Sequence, residues 1–303
     1  MLGPILFLIY INDLPNRAQF STVRLFADDC ILQKTVKTTD DCSKLQEDIN
    51  SIGQWEKDWL MEFHPDKCQI LTIPAGKSPI LHNYHLHNVT LQRPPDGAIK
   101  YLGITIQSDL KWHKHVRSIT AKASRTLGVV RRNVRVPDRD VRERAYKTLV
   151  RPQVEFASSV WDLPRNRGQS AIRQSTLAHQ VEMVQRRAAR FVCNQYRYTS
   201  SVDAMLADLK WPKLEARRRY FRLCMMYRIN KDIVAIPFHH CLICLHTLSR
   251  GHDQRYRPIK TKLDLFEDSF LPRTIPDWNK LSQGLVGALL DQFKSGLIKK
   301  VMH

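Results

Sequence analysis

Apolar and polar positions change rhythm along the chain, and the change falls near Lys111. Before it, short strand-like runs recur. Val23-Arg24-Leu25-Phe26-Ala27 and Cys30-Ile31-Leu32 are interrupted only by Asp28-Asp29, which predicts a tight β-hairpin with both carboxylates at its tip. Leu45, Ile49, Ile52 and Trp59 fall on one side of a predicted helix. Strands are predicted near Gln69–Ile73 and Ile99–Ile106, separated by a stretch from Pro74 to Gly97 that includes a hairpin.

After Lys111 the period becomes helical. Val116, Ile119, Ala123, Leu127 and Val130 form one apolar stripe, flanked by Lys114, Arg117, Lys122 and Arg125. A second helix starts with Asp138 as its N-cap and reaches Pro152. Leu177, Val181, Val184, Ala188 and Phe191 form a third stripe, and Leu214, Phe221 and Cys224 a fourth that opens at Trp211-Pro212. Such stripes are core faces more often than base-stacking surfaces. The pattern predicts an α+β region over residues 1–110, a mainly helical region over 111–232 and a carboxy-terminal region over 233–303.

Charge separates these regions further. The net charge of the 303 residues is +19, divided as −3 over residues 1–110, +18 over 111–232 and +4 over 233–303. A basic excess concentrated in one helical third is the footprint expected of phosphate contact, although a solvated helical surface has the same composition. The arginines on the polar flanks, Arg186, Arg187 and Arg190 on the third stripe and Arg217, Arg218 and Arg219 on the fourth, are the candidate nucleic-acid contacts.

The apolar start, Leu2 to Ile11, has no basic leader and no small-residue cleavage site, and reads as a buried helix with Pro4 near its amino end. No run approaches the roughly 18 apolar residues of a membrane span. Seven irregularly spaced cysteines argue for a reducing compartment over a disulfide framework. An intracellular location, nuclear or cytoplasmic, is expected.

The chemistry most worth weighing is Asp28-Asp29. Carboxylates suit Mg²⁺, a hard cation that shares its octahedral shell among one or two carboxylates, water and substrate phosphates. Two such ions activate an attacking hydroxyl and stabilise the leaving oxygen of a phosphoryl displacement. An isolated Asp-Asp pair, however, is also an ordinary turn sequence.

The flanking sequence favours the metal. Gly3-Pro4-Ile5-Leu6-Phe7-Leu8-Ile9-Tyr10-Ile11-Asn12-Asp13-Leu14-Pro15 resembles the helix that precedes the catalytic hairpin in reverse transcriptases of non-long-terminal-repeat retrotransposons. Phe26-Ala27-Asp28-Asp29 resembles their aromatic-x-Asp-Asp motif. Trp59-Leu60 with His64-Pro65-Asp66-Lys67-Cys68 resembles the next palm motif, and Tyr101-Leu102-Gly103-Ile104 the primer grip. Past the palm, the segments Leu149–Trp161, Val184–Phe191 and Phe270–Asn279 continue the likeness, which is strongest to the jockey-like branch.

The resemblance implies a truncated polymerase palm followed by a basic, helical thumb-like region. It implies an RNA template, a DNA primer and Mg²⁺ held by Asp28 and Asp29. Lys67 is implied near the leaving pyrophosphate, and Tyr101, Leu102 and Gly103 near the primer end. It also places the family's first metal-binding aspartate and its fingers before the Gly-Pro helix, so the chain is expected to be a carboxy-terminal fragment that does not polymerise alone. The only acidic residue before Asp28 is Asp13, which matches the helix exit. A non-catalytic nucleic-acid-binding relic or a pseudogene product is the alternative.

Three details remain open at this level. Lys67 is equally a solvated surface lysine, and His64 stands where relatives commonly carry asparagine. Gly103 reads equally well as a bulge glycine. His239, His240, Cys241, Cys244 and His246 contain a Cys-x-x-Cys pair, but the second half-site is compressed to one residue beyond Cys244, so zinc is not expected. Oligomeric state is not legible.

Overall fold

The computed structural model describes residues 2–302 except 75, 77, 164–170, 235, 237–241, 246–251 and 262, and the backbone alone of 171–176 and 264. The chain divides into two compact units, Met1–Lys111 and Trp112–His303. The first mixes helices with short strands and the second is almost entirely helical. Among the described residues no helix is long and apolar enough to cross a membrane.

In the first unit α1 (Leu2–Ile11) leads through a short 3-10 turn, Leu14–Arg17, to the hairpin β1 (Thr22–Phe26) and β2 (Asp29–Gln33). The long helix α2 (Thr39–Trp59) follows, opened by a capping box in which Thr38 Oγ1 accepts from the Asp41 amide and Asp41 accepts from the Thr38 amide. The core lies under α2, where Trp55 and Leu14 are completely buried beside Ile11 and Ile52. Alternation along the hairpin sends Val23, Leu25, Cys30 and Leu32 to this core.

Two expectations fail here for identifiable reasons. Trp59 does not share the buried side of α2, because Trp55 takes that place; Trp59 stacks on Trp55 at 6.1 Å between ring centroids and stays 38% exposed. Helix α1 is not buried either. Leu2, Ile5, Leu6, Leu8 and Ile9 are each more than half exposed, and Ile11 is its one buried residue.

The Pro74–Gly97 stretch does contain a hairpin, β3 (His85–Leu86) and β4 (Val89–Thr90). It lies so close to α2 that a Cβ on Gly53 would meet Leu86 and His87 at 3.2 Å. Of the strand expected at Gln69–Ile73, a single bridge remains, Gln69 to Gln92. The strand expected over Ile99–Ile106 is two strands, β5 (Ala98–Tyr101) and β6 (Ile104–Gln107). Leu102 and Gly103 both take positive φ, 45° and 81°, and that pair of angles makes a two-residue hairpin turn.

The second unit begins with α3 (His113–Asn133), in which Val116, Ala123, Leu127 and Val130 of the predicted stripe are buried and Ile119 is partly buried against the same core. Asp138 caps α4 (Arg139–Ala145) by accepting from the Asp140 amide at 2.7 Å. That helix does not stop at Pro152. It passes through a π-turn, Tyr146–Val150, into α5 (Arg151–Glu155). The Arg151 amide reaches back five residues to Tyr146, a local widening next to the ring that lacks an N–H of its own.

After α6 (Ser158–Trp161) come α7 (Ala171–Cys193), α8 (Val202–Asp208) and α9 (Leu214–Asn230). Val181, Val184, Ala188 and Phe191 of α7 are buried against α3 and the α4–α5 segment. The chain closes with α10 (Asp264–Glu267), α11 (Phe270–Trp278), α12 (Gln283–Val286) and α13 (Leu290–Val301). These build a second core with Leu223, Met226 and Tyr227 of α9 around Ile275, Trp278, Phe293 and Leu297. Helix α9 therefore enters one core at Leu214 and the other at Leu223.

Candidate functional site

The aspartate pair sits where the strand register puts it. Phe26 pairs with Asp29, so the turn consists of Ala27 and Asp28 alone. Ala27 adopts φ 51°, a left-handed conformation that costs a residue with a Cβ about 1–2 kcal/mol. Asp28 is carried on this turn and Asp29 opens β2 on the face opposite Leu25 and Cys30; both are exposed. Neither side chain has a hydrogen-bond or ion-pair partner among the described residues. Two carboxylates left unpaired at a hairpin tip are a donor set that fits part of a Mg²⁺ shell.

The hairpin is anchored from behind. Asp48, buried on α2, accepts from the amides of Gln19 at 2.8 Å and Phe20 at 3.0 Å and from Ser21 Oγ at 2.5 Å. This fixes the chain just before β1. Asp13 accepts from Trp55 Nε1 at 3.0 Å, which ties the end of α1 to α2. Asp48 belongs to none of the motifs read from the sequence, although an aspartate on the apolar side of a helix is a visible signal of a buried acceptor.

Two other predicted elements come close to the hairpin. Tyr101 closes the β5–β6 turn opposite Ile104. Its phenol is pushed above the usual range first by burial and then by the charges of Asp29 and Cys30, with Arg24 opposing. Tyr101 thus lies within electrostatic reach of Asp29. Leu102 and Gly103 are the turn itself, which assigns Gly103 to a left-handed turn position instead of a bulge. Cys30 is raised to about 11 by burial and by Cys68, and Cys68 follows Lys67 directly. Lys67 ends a short 3-10 turn, Pro65–Lys67, and is exposed.

The predicted arginines divide by environment. Arg187 is exposed and has no hydrogen-bond or ion-pair partner among the described residues. It lines a groove of about 490 Å³ between α3 and α7 with Arg117, Ser124 and His179. Arg186 pairs with Asp203 at 2.5 Å, and Arg190 donates to the Arg197 carbonyl at 3.2 Å. Arg217 is held by both oxygens of Glu155.

Arg218 is not on a polar flank. It is 2% exposed, and its Nε donates to Asp162 Oδ1 at 2.8 Å. One turn on, Arg222 Nε reaches Asp162 Oδ2 at 2.7 Å and Arg222 Nη2 reaches Asp277 at 3.3 Å. Arg219 joins Asp277 at 3.1 Å, and Arg273 joins Asp162 at 3.3 Å. The buried carboxylates turn the middle of α9 inward between its two cores. A guanidinium enclosed in this way has no face to offer a phosphate backbone.

Of the histidine–cysteine cluster weighed for zinc, Cys244 is exposed and a free thiol, and His239, His240, Cys241 and His246 lie outside the described residues. Among the described residues no group of three or more His, Cys, Asp or Glu is arranged to hold a metal.

Residues 1–106, which contain the hairpin and the Tyr101 turn, match the family described as reverse transcriptase (RNA-dependent DNA polymerase). The chain is 24% identical over 243 residues to the RNA-directed DNA polymerase from mobile element jockey of Drosophila melanogaster, covering 76% of this chain and 25% of that protein. Its counterpart in Drosophila funebris is 22% identical over 236 residues, covering 71% and 23%. The probable RNA-directed DNA polymerase from transposon BS of Drosophila melanogaster is 27% identical over 141 residues, covering 43% and 15%. The chain spans a quarter or less of the length of these relatives and is homologous to polymerases of jockey-type, non-long-terminal-repeat mobile elements. No solved structure matches it.

Proposed function

We propose that the first unit carries part of the catalytic palm of an RNA-directed DNA polymerase and that the helical unit is its thumb-like, nucleic-acid-facing region. The observation that carries the reading is the unpaired Asp28 and Asp29, on the hairpin turn and at the start of β2, within a segment matched to the reverse transcriptase family. Asp28 is a direct metal ligand and Asp29 a second or outer one. Bound there, Mg²⁺ would supply Lewis-acid stabilisation of phosphate oxygens. Lys67 carries positive charge toward the leaving pyrophosphate, and the Tyr101-Leu102-Gly103 turn positions the primer end.

Two carboxylates leave most of an octahedral shell open, and the family resemblance implies a further aspartate on another strand. A polypeptide of these 303 residues is therefore expected not to extend a DNA primer on an RNA template in Mg²⁺. Continued upstream through such an aspartate it is expected to extend, and Asp28→Ala/Asp29→Ala in that longer polypeptide should abolish extension. Full activity in the double variant would refute the assignment.

The helical unit contributes phosphate contacts through Arg186, Arg187 and Arg190, with Arg217 and Arg219 at its edge. The +18 net charge of residues 111–232 supports this. Affinity for duplex DNA should fall with salt at a log-log slope of about −0.9 per phosphate neutralised. An Arg186→Ala/Arg187→Ala/Arg190→Ala variant should bind duplex more weakly with a shallower slope, and an unchanged slope would remove these residues from the interface.

A further inference from the structure

A second cavity, of about 470 Å³, opens at the carboxy-terminal ends of α3 and α7, lined by Arg131, Arg132, Arg135, Arg142, Phe191 and Tyr196 among others. Among the described residues no acidic side chain lines it. Nearby carboxylates are engaged elsewhere, Asp208 with Arg139 at 2.6 Å and Glu143 with Trp211 Nε1 at 2.8 Å. Each helix end contributes roughly half a negative charge, which four guanidiniums outweigh.

Three of the four arginines are held in place. Arg142 is 9% exposed; its Nε donates to the Val136 carbonyl at 2.8 Å and its guanidinium lies 5.6 Å from the Phe191 ring centre. Arg135 Nε donates to the Arg132 carbonyl at 3.1 Å. Tyr196 is half exposed, with the Arg131 guanidinium 5.2 Å from its ring centre. Two residues on, Tyr198 is fully exposed. A ring backed by a guanidinium and open elsewhere is a platform on which a base stacks.

We propose that this cavity holds one nucleotide unit of a single-stranded nucleic acid, its phosphate among the four arginines and its base on Tyr196, with Tyr198 placed for the next base. The inference rests on the nucleic-acid reading of the helical unit and deepens it by naming the strand form. Bases inside a duplex are already stacked and present no free face to Tyr196. The cavity volume also suits one nucleotide, falling within the range of small-molecule sites.

The test is fluorescence anisotropy with the full chain, a dye-labelled oligothymidylate of about 12 nucleotides, and a labelled hairpin duplex. Tyr196→Ala should weaken single-strand binding about tenfold at unchanged salt slope, and Tyr196→Phe should restore it. Arg131→Ala/Arg132→Ala should make the single-strand slope shallower by about 0.7 for each phosphate no longer neutralised. Neither change should move duplex affinity more than about twofold. Far-ultraviolet circular dichroism should confirm that each variant keeps its helices. Parent-like single-strand binding by Tyr196→Ala, equal losses on both strand forms, or failure of phenylalanine to rescue would overturn the proposal and leave the duplex reading standing. If the parent bound neither form, the nucleic-acid reading itself would fall.

Discussion

The two units each place a pair of aspartates at a point where elements meet, and they treat the carboxylates in opposite ways. Asp28 stands exposed on a two-residue turn and Asp29 on the strand residue after it, with no ion-pair partner among the described residues. Asp162 and Asp277 are buried, 6% exposed each, and receive Arg218, Arg219, Arg222 and Arg273. A carboxylate already surrounded by guanidiniums is committed to holding helices together, whereas an exposed, unpaired one keeps its lone pairs for a ligand. The family resemblance reaches both places, through Phe26–Asp29 and through Phe270–Asn279. Environment, not residue type, separates the open carboxylates from the committed ones here.

The sharpest way to break this contrast is to delete one carboxylate from the buried pair. Asp162→Ala should destabilise the helical unit by about 3–5 kcal/mol, because Arg218, Arg222 and Arg273 would remain buried without it. The urea midpoint of the helical circular dichroism signal measures this, and a loss under about 1 kcal/mol would mean that water reaches the cluster.

A smaller effect comes from acid. His115 is 1% exposed, lies 5.4 Å from the Trp161 ring centre, and is held down to about 4 by burial. The unfolded chain takes up this proton below pH 6.5, while the folded chain resists until about pH 4. Stability from this group is therefore complete above pH 6.5 and is lost as pH falls through that window, by up to about 3 kcal/mol. Burial shifts His252 in the same direction. His115→Gln should flatten most of the dependence in urea titrations between about pH 7 and pH 4; a variant as acid-sensitive as the parent would shift responsibility elsewhere.

The smallest effect belongs to the exposed pair. Asp28→Ala/Asp29→Ala should leave stability within about 0.5 kcal/mol of the parent, since neither carboxylate holds a hydrogen bond or ion pair among the described residues. A thermal melt showing a larger change would mean that the turn needs those carboxylates for its own geometry.

These contrasts also show what a linear reading can reach. The stripes through Val116, Ala123, Leu127 and Val130 and through Val181, Val184, Ala188 and Phe191 were legible because burial of a helix face leaves a local period. The Asp28 turn was legible because strands on both sides stop at it. Leu102-Gly103 was harder, since apolar residues flank a turn that itself begins with leucine and hide the break. Arg218 was misleading because its partner, Asp162, lies 56 residues away and leaves no local trace. The same holds for Asp48, whose partners at Gln19, Phe20 and Ser21 precede it by 27 to 29 residues.

That separation has a consequence in time. Asp162 and Arg273 are joined across 111 residues, through the Asp162 carbonyl as well as its side chain. At about 5–20 residues per second of synthesis, Asp162 leaves the ribosome on the order of ten seconds before Arg273 does. Arg218 and Arg222 arrive partway through that interval, and only Arg273 completes the set of donors around the carboxylate. The hydrophobic core of α3 and α7 can close early, whereas the seam between the two cores of the helical unit must wait for α11.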